Sequence, residues 1–83
     1  MKRVSAAVDE MGYLIALGQA IRARRKEQGL SQEGLAHIAQ IDRSHMGKIE
    51  RGERNVTLLN IVKICKALDC PVSKLISNAE NIL

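Results

Sequence analysis

SQEGLAHIAQIDRSHMGKIERGERN, residues 31–55, is the stretch on which the fold of this chain turns. Ser31 is placed to cap a helix in which Leu35, Ala36, Ile38 and Ala39 make an apolar face, barely two turns long. The chain then turns at Gln40 and Ile41, and Asp42 is placed to cap a second short helix. In that helix Met46 and Ile49, three apart, face inward, while Arg43, Ser44, Gly47, Lys48 and Arg51 are left outside. One face is apolar and the other carries cations and hydrogen-bond donors.

On the N-terminal side, a helix is expected from Asp9, with Tyr13, Leu14, Leu17, Ile21 and Arg25 at steps of three and four and Gly29 as its C-terminal cap. Gly18 inside it predicts a close approach to another helix. Residues 1–8 lack periodicity and read as a mobile arm, so residues 9–83 form the expected single domain. On the C-terminal side, Gly52 and Glu53 open a polar loop, and Thr57 caps a fourth helix with Leu58, Ile61, Ile64, Cys65 and Leu68 on its inner stripe. Pro71 leads to a fifth helix capped by Ser73, with Val72, Leu75, Ile76, Ala79 and Ile82 as its apolar positions.

Composition agrees with an all-α, five-helix bundle. The chain has 83 residues, one tyrosine and no phenylalanine or tryptophan, so its core must be built from aliphatic side chains, which favours helix packing over a sheet sandwich. Chains this short bury little surface and gain from oligomerisation. Thirteen Lys plus Arg against nine Asp plus Glu leave a net charge of +4, which suits a polyanionic partner without requiring one. Cys65 and Cys70 are neither a disulfide framework nor a zinc spacing, and His37 and His45 stand far from them, so no metal and no cofactor is expected. Met1, Lys2 and Arg3 open like a signal peptide, but no apolar stretch of the needed length follows, which predicts a cytoplasmic protein without a membrane partner. No nucleophile is set beside a base and no glycine-rich phosphate loop follows a strand, so an enzyme is not expected.

Two short helices about a tight turn, at residues 31–39 and 42–50, have the spacing of a helix-turn-helix, whose second helix enters a DNA major groove. Over residues 17–76 the sequence resembles the Xre family, the Cro and phage-repressor type of helix-turn-helix. Within that family the runs at residues 42–45 and 47–57 look most like the controller proteins of restriction-modification systems. The resemblance implies a lambda-repressor-like domain that binds double-stranded DNA and regulates transcription.

The resemblance also distributes roles. Base reading falls to Arg43, Ser44, His45 and Lys48; a guanidinium at Arg43 can make two parallel hydrogen bonds to guanine, worth about 1 to 3 kcal/mol of discrimination. Backbone contacts fall to Ser31, Gln32, Arg51, Arg54, Asn55 and Thr57, which set register and not base preference. Arg25 and Glu50 are implied to form a partly buried ion pair holding the motif to the first helix, the bland alternative being a surface pair of Glu50 with Arg54. Three positions depart from the family: Gln40 stands where glycine is common in the turn, Gly34 removes a capping-box partner of Ser31, and Arg24 stands where leucine is usual, so that this part of the core is thinner or its aliphatic stem must cover the gap.

The family uses its last helix for a two-fold contact, and Leu59, Val62, Ile76, Ala79 and Ile82 are apolar positions expected to supply it. A homodimer demands a near-palindromic operator with half-sites about 34 Å apart. The alternative from another class is an antitoxin or other protein-interaction module that uses the motif for autoregulation.

Overall fold

The computed structural model describes residues 9–83; the arm expected over residues 1–8 lies outside them. Five helices follow one another: α1 (Tyr13–Glu27), α2 (Gln32–Ala39), α3 (Arg43–Glu50), α4 (Leu58–Ala67) and α5 (Val72–Ile82). Among the described residues there is no strand. α1 is the spine: α5 packs along it most extensively, α3 crosses it, and α2 bridges from α3 to α4. The core between them is aliphatic, with Ile21, Leu35, Met46, Ile49, Ile64, Leu68 and Leu75 fully enclosed.

Local chemistry sets the helix starts. Ser31 accepts from the Gly34 amide at 2.9 Å, Asp42 from the His45 amide at 3.2 Å and Thr57 from the Asn60 amide at 3.2 Å, so the caps of α2, α3 and α4 stand where the side chains predict. Two starts differ from expectation. α1 begins at Tyr13 instead of Asp9: the Asp9 carboxylate accepts from the Tyr13 and Leu14 amides at 3.0 and 2.8 Å, capping the helix from outside a tight turn at Gly12. α5 begins at Val72, and Ser73 lies within it. Pro71 takes the cap position with extended backbone, and its carbonyl accepts from the Lys74 and Leu75 amides, so no hydroxyl is needed.

The first four helices end alike. After each, one residue adopts left-handed backbone and the following amide reaches back to a carbonyl of the last turn: Leu30 to Arg25, Ile41 to Ala36, Glu53 to Lys48 and Cys70 to Cys65, at 2.9 to 3.1 Å. The left-handed residues are Gly29, Gln40, Gly52 and Asp69. Gln40, at φ 57°, is the position where the family resemblance calls for glycine, and it forms the same turn with a side chain in place.

Two glycines are required by contact. A methyl group on Gly18 would run into the backbone carbonyl of Glu50, so α1 and the end of α3 meet there, as the sequence predicts. Gly52, at φ 73°, lies against the backbone of Ile15, where a methyl would stand 2.8 Å from its Cα.

Four apolar assignments need correction. Ile38 is exposed because Leu35, Ala36 and Ala39 already define the inner stripe of α2, and Ile38 falls past its edge. Leu58 is exposed because it is the first residue of α4, one turn before Ile61, which is itself only half-buried. Tyr13 lies on the rim, its hydroxyl donating to Glu80 Oε2 at 2.8 Å across to α5. Ala79, assigned to a contact between subunits, is enclosed within this one: four residues after Leu75, it shares the face that α5 turns inward.

Candidate nucleic-acid interface

α3 presents two chemically distinct faces because its packing is fixed from inside. Met46 and Ile49 are buried, and the last residue of the helix, Glu50, is buried as an anion. Arg25 of α1 meets it with a two-pronged contact, Nε to Oε2 at 2.9 Å and Nη2 to Oε1 at 3.0 Å, while its Nη1 donates to the Leu30 carbonyl at 3.0 Å. Both residues are under a tenth exposed, at 9% and 7%. Gln32, the first residue of α2, adds a third donor, its Nε2 lying 3.2 Å from Glu50 Oε1. Among the described residues no buried side-chain nitrogen or oxygen lacks a partner, so this ionic knot is fully satisfied.

With that side anchored, the first turn and one flank of α3 are turned outward, whereas Gly47, expected outside, is buried, because side chains of neighbouring elements reach over it. Arg43 and Ser44 are exposed at its first turn, and His45 and Lys48 are half-buried along the same flank. The Arg43 guanidinium lies 3.9 Å from Glu33 of α2, with both side chains about seven-tenths exposed. Arg51 follows the helix and is held by Glu53, Nε to Oε2 at 2.7 Å and Nη2 to Oε1 at 3.4 Å. The hydrogen bond from Arg51 holds the Glu53 carboxyl below the usual carboxylate range. Arg54 and Asn55 are exposed in the loop that leads to Thr57.

The helix-turn-helix thus brings Ser31 and Gln32 at the start of α2 beside α3 and Arg51, while Arg54, Asn55 and Thr57 follow in the exposed loop. The motif elements are adjacent in space because α2 packs on α3 and both pack on α1. Their chemistry suits a polyanion: guanidinium and ammonium groups that can pair with phosphate, plus hydroxyl, amide and imidazole groups that can hydrogen-bond. Two acidic neighbours, Glu33 and Glu53, were not singled out from sequence; an (i, i+2) contact such as Arg51 to Glu53 depends on loop geometry and leaves no periodic signal. Among the described residues no three His, Cys, Asp or Glu side chains are grouped to hold a metal.

Arg24 does something the sequence did not indicate. Its Nε donates to the Leu68 carbonyl at 3.1 Å and its Nη2 to the Asp69 carbonyl at 3.0 Å, so it caps the C-terminal end of α4 from α1. Its Nη1 pairs with Glu27 at 3.1 Å.

The helix-turn-helix family model matches residues 21–75 of this chain. The chain is 43% identical over 61 residues to control protein C.SmaI of Serratia marcescens, covering 74% of this chain and 73% of that protein. The crystal structure of the restriction-modification controller protein C.AhdI from Aeromonas hydrophila is similar with a TM-score of 0.73 and 48% identity, over 75% of this chain and 94% of that one. The master regulator for biofilm formation SinR, solved in complex with DNA, is similar with a TM-score of 0.68 and 35% identity, over 71% of this chain and 95% of that one.

Proposed function

This chain belongs to the helix-turn-helix family, as a DNA-binding transcriptional regulator of the Xre type, and from that premise we propose that it acts as a homodimer on a near-palindromic operator, in the manner of a controller-type autoregulator. The observation that carries this reading is the division of α3: an inner face locked by Met46, Ile49 and the Glu50 knot, and an outer flank bearing Arg43, Ser44, His45 and Lys48. Arg43 reads a guanine through its guanidinium, and Lys48 and His45 extend the contact one turn along. Ser31, Gln32, Arg51, Arg54, Asn55 and Thr57 hold sugar-phosphate and fix the register. The role is one of binding and not of catalysis, exercised in the compartment that holds the DNA. No described helix is long and apolar enough to cross a membrane.

Support for the homodimer comes from apolar surface that the subunit leaves uncovered. Leu59 and Val62 on α4 and Ile82 on α5 are exposed, Leu59 by 73%, and Ile76 of α5 is half-buried. Covering these side chains with a second copy would give a two-fold assembly, and an operator read by its two α3 helices would carry half-sites about 34 Å apart.

Selection of bound duplexes from a random pool tests the reading. The expected product is an inverted repeat, and repeating the selection with Arg43→Ala erases one symmetric base preference, at a cost of about 1 to 3 kcal/mol, without general loss of binding. If the pool yields no inverted repeat, or Arg43→Ala leaves the preferences unchanged, the assignment fails.

A further inference from the structure

Gly47 sits in the middle of α3, is buried, and carries no side chain at a place where the helix would be stronger with one. What covers it is two side-chain tips. A methyl group built there would stand 3.1 Å from Arg51 Nη1 and 3.2 Å from Gln32 Oε1. These tips arrive from different elements, each held on its far side by a carboxylate. Gln32 has its Nε2 on Glu50, and a carboxylate only accepts, so the amide oxygen is the atom turned toward Gly47. Arg51 has Nε and Nη2 on Glu53, which leaves Nη1 as the corner over Gly47.

We infer that Gly47 is a positioning residue for DNA binding: by lacking a Cβ it lets Gln32 and Arg51 converge over α3, where they act together on one backbone phosphate of each half-site. The inference rests on the reading that this face binds DNA and adds which residues cooperate there. Arg51 supplies the charge, and Gln32, fixed through Glu50 to the buried Arg25, supplies the rigid edge against which the guanidinium settles. The atoms nearest a methyl at Gly47 belong to these two side chains, in contrast to Gly18, where a methyl meets the Glu50 carbonyl.

Stability and binding then move in opposite directions on one substitution. Gly47→Ala is expected to raise the Tm, because alanine favours helix over glycine and the exposed Arg51 side chain can yield. DNA binding is expected to weaken several-fold, equally for the selected inverted repeat and an unrelated duplex of the same length. The slope of log affinity against log salt is expected to shrink by about one per subunit. In an Arg51→Ala background the same substitution is expected to cost no further affinity. An unchanged salt slope in folded Gly47→Ala, or an equal loss of affinity with Arg51 absent, overturns the inference while leaving the DNA-binding reading intact. A lowered Tm also overturns it, since the methyl would then have met more than side-chain tips. Failure of the unsubstituted chain to bind either duplex overturns both.

Discussion

Glu50 accepts three hydrogen bonds while 7% exposed, two from Arg25 and one from Gln32. A buried carboxylate survives without water only when its lone pairs are filled by donors and its charge is matched, and both conditions hold here. Glu50→Gln keeps the shape but removes the charge, stranding the Arg25 guanidinium in the interior. The expected loss is about 3 to 5 kcal/mol of unfolding free energy, read from urea melts. A loss below about 1 kcal/mol, as for a surface pair, would show that the contact is solvated in solution. The same residue joins the scaffold to the DNA face, because Gln32 hangs on it.

At the scale of helices, the shared ending of α1 to α4 shows how the backbone closes its own termini. Each turn satisfies carbonyls that a helix end leaves open, and the two carbonyls just past α4, at Leu68 and Asp69, are taken up by Arg24. A cation at a helix C-terminus also meets the favourable end of the helix dipole. Arg24→Leu restores the residue type expected from the family but removes both hydrogen bonds. It is expected to destabilise by about 1 kcal/mol, since the side chain is partly solvated and water replaces some of what is lost. A thermal melt in which the leucine variant equals or exceeds the parent would show that packing of the stem is what matters at this position.

For the molecule as a whole, alkaline pH is expected to act on two groups, a thiol inside the helix bundle and a phenol on its rim. Burial pushes the Cys65 thiol up to about 12, with the neighbouring Cys70 adding to the shift. Tyr13 is also raised above its ordinary value by its hydrogen bond to Glu80. Each group is held neutral more firmly in the folded chain than in the unfolded one. Their stabilisation is therefore whole below the unfolded values, 9.0 for the thiol, and drains away as pH rises from there toward about 12. Unfolding free energy is expected to be level with respect to these two groups at neutral pH and to decline above about pH 9. Denaturant melts across that range on the parent and on Cys65→Ala check this. An equally steep decline in the variant would place the alkaline sensitivity elsewhere.

What the sequence by itself determined lies mostly in contacts between neighbours three or four residues apart. The caps at Ser31, Asp42 and Thr57, the turn after Glu27 at Gly29, the inward set of Met46 and Ile49, and the helix-turn-helix spacing are local, because a side chain reaching its own first turn needs no other element. Gly18 was also legible, since a lone glycine in a strong helix pattern implies close approach. Only the tertiary structure decided that Arg24 caps a helix more than forty residues away, that Gln32 leans on Glu50, that Ala79 faces inward while Ile38 and Leu58 do not, and that Gly47 lies beneath two converging tips. Those outcomes depend on which faces of separate helices meet, and in helices of two or three turns the apolar periodicity is too short to single out one inward direction. Asp69 and Gln40 hold left-handed backbone that glycine would have advertised, so the repeated helix ending became visible only once the chain was folded.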